Sequence, residues 1–211
     1  MSQFNIFGGL EENRLPGGII PGSNSIRDGQ LLFYPSFFSE EESRIFFNQL
    51  KSGVEWRQES MSLYGKKIAF PRLTAWYGDK DKPYTFSGLT LQPSDWTKDL
   101  LKIREKIEPI AGAHFNSVLL NLYRDGNDSI SWHTDAEKEL GVNPIISSVN
   151  FGATRTFQIR HIKTKERIDI PLGNGALLIM RGAMQHHWQH QVPKTAKYVN
   201  ERINLTFRVL L

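Results

Sequence analysis

Arg202-Ile203-Asn204-Leu205-Thr206-Phe207-Arg208 alternates strictly between polar and apolar side chains. Successive side chains of a strand point to opposite faces. One face therefore carries Ile203, Leu205, Phe207 and then Val209, and the other carries Arg202, Asn204, Thr206 and Arg208. Two guanidiniums flanking an amide and a hydroxyl make a rail for an anion, because guanidinium pairs with carboxylate through two parallel hydrogen bonds. An ordinary two-sided sheet with its polar face in water would alternate in the same way.

Outward from this stretch, short β-prone segments alternate with turn residues. They fall at 117–123, 130–133, 145–151, 155–163, 167–172, 176–181 and 188–192, with the last at 202–210. Short, evenly spaced strands point to a sandwich or jelly roll. The first half reads differently. A strand is predicted over 31–38. Ser39-Glu40-Glu41-Glu42 is a capping box opening an amphipathic helix to about Lys51, with Ile45, Phe46 and Leu50 inward. A second helix is predicted from near Ser94 to about Ile107, ended by Pro109, with Leu100, Leu101, Ile103 and Ile107 inward. The prediction is an α+β chain, mainly β, with its helices packed on one face of a jelly roll. Residues 1–28, rich in Gly, Pro and Asn, read as an irregular arm, and 29–211 as a single domain.

With 211 residues, 39% apolar and 11% aromatic, the chain can bury a substantial core. No apolar run approaches the length of a membrane span. Met1-Ser2-Gln3-Phe4-Asn5 has no charged and then apolar leader, so a cytoplasmic location is expected, or a nuclear one in a eukaryote. There is no cysteine and hence no disulfide, which fits a reducing compartment. The formal charge is +4 and the surplus of Lys and Arg lies in residues 101–211. That suggests a polyanionic partner such as nucleic acid, although a solvated basic surface would give the same balance.

The candidate chemistry stands in Trp132-His133-Thr134-Asp135 and Trp188-Gln189-His190. His-x-Asp on a strand aims two ligands at one ion, and a distant His completes a two-His, one-carboxylate set suited to non-haem Fe(II) and O2. His186 and His187 compete with His190 for the third place, but strand parity separates His187 from the Trp188/His190 face. Asn121 and Tyr123 share a face shortly before His133 and could hydrogen-bond a bound acid. A satisfied polar pair at a strand end is the other reading of them.

Together these residues resemble the AlkB family of Fe(II)/2-oxoglutarate-dependent dioxygenases, over roughly residues 30–210. The resemblance is carried by Asn121-Leu122-Tyr123, His133-Thr134-Asp135, Ser148-Val149-Asn150-Phe151-Gly152-Ala153, Trp188-Gln189-His190 and Arg202–Arg208. Pro71-Arg72, Tyr77-Gly78 and Tyr84-Thr85-Phe86-Ser87-Gly88 extend it upstream. It implies a double-stranded β-helix, a jelly-roll variant, over 117–211 and a nucleotide-recognition lid at about 55–92. His133, Asp135 and His190 would ligate Fe(II). Asn121, Tyr123, Arg202, Asn204, Thr206 and Arg208 would hold 2-oxoglutarate, with O2 as co-substrate.

The branch it most resembles removes methyl groups from bases such as 1-methyladenine and 3-methylcytosine in DNA, releasing formaldehyde, succinate and CO2. Those methylated atoms are buried in a duplex, so the base must flip out. By the resemblance, Phe86 would stack on the flipped base opposite His133, and Tyr84 and Glu137 would contact the same nucleotide. Tyr64, Gly65 and Lys66, ahead of Arg72, would form an intercalating finger. Arg155, Arg160, His161, Lys163, Lys165 and Arg167 could follow the phosphate backbone. The chain departs from duplex-repairing members in a shorter loop after His161 and in Ala136, where an acidic residue is common. RNA or protein as substrate, or a non-enzymatic nucleic-acid-binding jelly roll, are the alternatives. A monomer is expected.

Overall fold

The alternating stretch at 202–208 forms a strand near the middle of a seven-stranded antiparallel sheet. The computed structural model describes residues 18–63, 66–80, 84–86 and 89–211. In chain order the elements are β1 (Gly22–Ile26), β2 (Gly29–Tyr34), α1 (Glu40–Gly53), β3 (Ser60–Leu63), β4 (Lys66–Ala69), β5 (Leu73–Gly78), β6 (Tyr84–Phe86) and β7 (Leu89–Leu91). Then come α2 (Lys98–Ala111), β8 (Ser117–Tyr123), β9 (Ile130–His133), β10 (Ile146–Gly152), β11 (Arg155–His161), β12 (Arg167–Leu172), β13 (Leu177–Arg181), α3 (Met184–His187), β14 (Trp188–Val192) and β15 (Arg202–Arg208). The large sheet runs β1-β2-β13-β10-β15-β8-β5, and a four-stranded sheet runs β12-β11-β14-β9. Two smaller antiparallel pairs, β3-β4 and β6-β7, stand outside both.

Every segment predicted as a strand from residue 117 onward is a strand, within one or two residues at each end. The jelly-roll expectation is borne out. The parity argument holds as well. Ile203, Leu205 and Phe207 of β15, with Val118, Leu120 and Leu122 of β8, share one core with Leu50 of α1 and Leu100, Ile103 and Ile107 of α2. The opposite face of the large sheet turns toward the small sheet. There a second core joins Phe33, Ile146, Leu178 and Met180 to Phe157, Ile159, Ile170 and Trp188. The helices thus cover one face, as the apolar side of β15 requires.

Three local expectations change. The strand predicted over 31–38 covers Gly29–Tyr34, and part of the supposed irregular arm is β1, paired with β2 from Gly22↔Phe33 to Ile26↔Gly29. The capping box is present: Ser39 Oγ accepts from the Glu42 amide at 3.2 Å and Glu42 accepts from the Ser39 amide at 2.9 Å. Ile45, however, is 41% exposed, because Phe46 and Leu50 already fill the stripe facing the sheet. The second helix starts later, capped by Thr97, and continues past Pro109 to Gly112 in the left-handed region at φ 63°. Pro109 sits in the last turn, where the Gly112 cap and the guanidinium of Arg181 on the carbonyls of Ile110 and Ala111 close the helix.

Candidate active site

The two sheets enclose a cavity of about 380 Å³. Its large-sheet wall carries Asn121 and Tyr123 of β8 and Arg202, Asn204, Thr206 and Arg208 of β15. Its small-sheet wall carries His133 and His190. Strand register assembles both walls. Tyr123 pairs with Arg202, and Asn121 with Asn204. In the small sheet His133 and His190 are direct cross-strand partners, with an irregularity just after His190. Asp135 follows two residues past His133, and one ligand atom from each of the three lies within 4.8 Å of the others. His190 Nε2 is 3.8 Å from Asp135 Oδ2.

Hydrogen bonds and burial orient these groups for a metal. His133 Nδ1 faces the Ser131 carbonyl at 2.7 Å. A carbonyl only accepts, so Nδ1 carries a proton, and in the neutral tautomer Nε2 is the nitrogen left for the ion. Burial lowers the His190 pKa to about 3, helped by His133 and opposed by Asp135, so this imidazole is neutral at pH 7. Burial alone would raise the Asp135 carboxyl. The Arg208 guanidinium, with His190 and His133, outweighs it and holds Asp135 at about 2. Arg208 Nη2 donates to Asp135 Oδ1 at 3.0 Å, and the Asp135 amide donates to Gln185 Oε1 at 2.9 Å. Carboxylate and backbone are thereby fixed from two sides.

The rail is buried rather than washed by solvent. Arg202 is 1% exposed, and its Nε and Nη1 have no hydrogen-bond partner among the described residues. Its Nη2 donates to Asn150, and its guanidinium lies 5.0 Å over the Tyr123 ring. Burial pulls Arg202 down to about 10. A buried cation with unspent donors calls for an anionic partner. The donor set and the cavity therefore fit a chelated metal with a small dicarboxylate beside it.

The remaining predicted residues fall into three groups. Arg72 lines the cavity and donates through Nε to Asn121 Oδ1 at 2.7 Å, which leaves the Asn121 amide nitrogen as the donor. Its guanidinium is buried and its pKa falls accordingly. Glu137 is also in the cavity wall, whereas Lys66 is exposed on β4. Asn204 faces the cavity with its polar atoms engaged: Nδ2 donates to Ser148 Oγ at 2.8 Å and Oδ1 accepts from Thr206 at 3.1 Å. Tyr64 and Gly65 lie outside the described residues, as do the side chains of Tyr84 and Phe86. His186 is exposed and His187 turns to Asp28 and His161, so neither joins His133 and Asp135.

The expected basic track is corrected in two places. Arg155 is buried and donates to the carbonyls of Asp125, Asp128 and Pro193 at 2.7–3.0 Å. His161 is 2% exposed. Both are structural, because strand parity directs them inward. Two contributors were given no role in the site from the sequence. Asn150 has the same parity in β10 as the rail has in β15, a signal that could have found it. Gln185 stands 50 residues from Asp135 and has no such signal.

Residues 30–208 match the family model described as "2OG-Fe(II) oxygenase superfamily". The human protein "Alpha-ketoglutarate-dependent dioxygenase alkB homolog 3" is 42% identical over 191 residues, covering 86% of this chain and 66% of that protein. The chain thus spans just under two thirds of that relative's length. Human "DNA oxidative demethylase ALKBH2" is 38% identical over 189 residues, covering 84% of this chain and 72% of that protein. A solved structure described as "The structure of OsALKBH1" superposes with a TM-score of 0.60 at 16% identity, covering 88% of this chain and 100% of that one, a likeness of fold. The family is one of Fe(II) and 2-oxoglutarate enzymes, the pair of cofactors for which this cavity has the right donors. The chain belongs to the 2OG-Fe(II) oxygenase superfamily and, within it, to the AlkB family.

Proposed function

We propose that this chain is an oxidative demethylase of N-alkylated bases in DNA, with 1-methyladenine and 3-methylcytosine as substrates. The carrying observation is a two-His, one-carboxylate cluster and a buried, partly unspent arginine facing one another across a single cavity. Both human relatives named above are dioxygenases or demethylases by name, and the second is a DNA demethylase.

In this reading His133, Asp135 and His190 hold Fe(II). Arg202, with Tyr123 beside it, takes a carboxylate of 2-oxoglutarate. Arg72 turns the Asn121 amide toward the same ligand. Arg208 occupies one oxygen of Asp135 and leaves Oδ2, on the His190 side, for the ion. When bound, Fe(II) and 2-oxoglutarate supply the O2-dependent hydroxylation of an N-methyl group, with formaldehyde, succinate and CO2 as products. The methylated atom sits on the base-pairing edge, so the nucleotide is flipped into the cavity. Phe86 would stack on it and Tyr84 would contact it, Glu137 and Arg72 line its entry, and Tyr64, Gly65 and Lys66 would contact the strand it leaves. No described helix is long and apolar enough to cross a membrane. Action on nucleic acid suits the cytoplasm or a eukaryotic nucleus.

The test is formaldehyde and succinate release from matched single- and double-stranded DNA and RNA oligonucleotides carrying 1-methyladenine or 3-methylcytosine, with Fe(II) and 2-oxoglutarate. Turnover of methylated DNA, lost in His133→Ala, supports the proposal. Turnover confined to RNA transfers it to RNA, and no turnover on any methylated oligonucleotide removes it.

A further inference from the structure

A second cluster with the same donor set lies away from the cavity. Asp28 is in the turn between β1 and β2, His161 ends β11, and His187 ends α3. One ligand atom from each lies within 4.8 Å of the others, the same limit that the catalytic trio meets. His161 Nε2 is 3.1 Å from Asp28 Oδ2, and His187 Nδ1 is 3.9 Å from that oxygen. Bonds of about 2.0–2.1 Å around a tetrahedral ion put neighbouring ligand atoms about 3.3 Å apart. One edge of the cluster already has that length, a second needs to close by about half an ångström, and the third, between the two imidazoles, is no longer than 4.8 Å. The rings of His161 and His187 are nearly parallel, 11° apart with centroids at 6.0 Å.

The frame around the cluster is held by a hydrogen bond and close packing. Trp188 Nε1 donates to the Arg27 carbonyl at 2.8 Å, which ties the β1–β2 turn to the start of β14. Gly29 packs so closely on α3 that a Cβ there would meet Met184 Sδ at 2.4 Å. Asp28 itself adopts φ 53°, a left-handed conformation that Asp accepts better than most residues. His161 is buried, while the side chains of Asp28 and His187 are 47% and 34% exposed. A metal here would keep one side open to water.

We propose that Asp28, His161 and His187 form a second metal site, for a divalent transition ion of the zinc class, that staples the two sheets together. Imidazole and carboxylate suit zinc, and the fourth position is left to water. Without metal, the Thr164 amide donates to His161 Nδ1 at 3.1 Å, so the ring proton sits on Nε2 and points at Asp28. Metal at Nε2 moves that proton to Nδ1 and releases the Thr164 amide to water in the exposed β11–β12 turn. No net proton leaves the neutral ring. The neighbouring Arg27–Glu166 pair, at 3.8 Å, is exposed and balances its own charge.

Equilibrium dialysis of the metal-free full chain against ZnCl2, and separately against CoCl2, tests the site. Asp28→Asn and His187→Ala are the variants, because both side chains face solvent, and circular dichroism checks their folds. The wild type is expected to bind one ion per chain more than either variant. Its melting temperature should rise with added Zn(II), and that rise should persist in His133→Ala but vanish in His133→Ala/His187→Ala. Equal stoichiometry in the wild type and both variants overturns the site. So does a Zn(II)-dependent rise that survives in the double variant.

Discussion

His190, proposed above as a metal ligand, also bears on stability. In the folded chain it stays neutral down to about pH 3 because it is buried, whereas an unburied histidine takes a proton near 6.5. The unfolded chain therefore binds the extra proton first, and acid favours unfolding. Stability of the metal-free protein should fall by about 2 kcal/mol between pH 7 and pH 5 from this residue alone. Urea midpoints at the two pH values check it. His190→Gln should remove that part of the drop, and an identical drop in the variant would refute the assignment. Asp135, held at about 2, adds its own loss only below pH 3.8. Gln185 is the quieter case. Its side chain is 2% exposed and accepts the Asp135 amide. Gln185→Ala should cost about 1–3 kcal/mol by leaving that N–H unpaired. It should also weaken Fe(II) binding, read as a raised Fe(II) requirement at unchanged 2-oxoglutarate affinity.

At the scale of elements, the start of α1 was legible in its cap, whereas β5 was not read as a strand. Ser39 and Glu42 satisfy each other's amides at the start of α1, a pattern visible in four consecutive residues. Ser39→Ala should cost about 1 kcal/mol, measured as a lower thermal midpoint with unchanged activity. β5 is almost wholly buried, so it lacks the alternation that marks a half-buried strand. The start of α2 was misplaced for a related reason. Ser94 and Thr97 are both acceptable caps, and only Thr97 has its hydroxyl on a free amide, that of Leu100 at 3.3 Å. Ser94 is instead drawn into a bridge with Tyr77.

At the scale of the molecule, one guanidinium ties the small sheet to the loop that enters it from the large one. Arg155 begins β11 in the small sheet and donates to three carbonyls, two in the loop between β8 and β9 and one just past β14. Arg155→Met should leave these acceptors unpaired and destabilise the chain by on the order of 3 kcal/mol. Chemical denaturation reads it directly, and a change under 1 kcal/mol would show that water replaces the arginine. Because the loop it grips precedes His133, the same variant should also raise the 2-oxoglutarate KM.

The alternation of 202–208, the His-x-Asp pair and the Asn-x-Tyr pair were readable because strand parity is a local property: side chains two apart share a face whatever the strand packs against. They carried the jelly roll, the candidate metal trio and the anion rail. What parity cannot say is which face meets water, which carbonyl a distant arginine will find, or which residue of a neighbouring strand each side chain will face. Those were decided by register between strands far apart in sequence, where one pairing sets His190 opposite His133 and Arg202 opposite Tyr123. The same folding turned Arg155 and His161 inward, and it brought Asp28, His161 and His187 together from three elements with no shared motif.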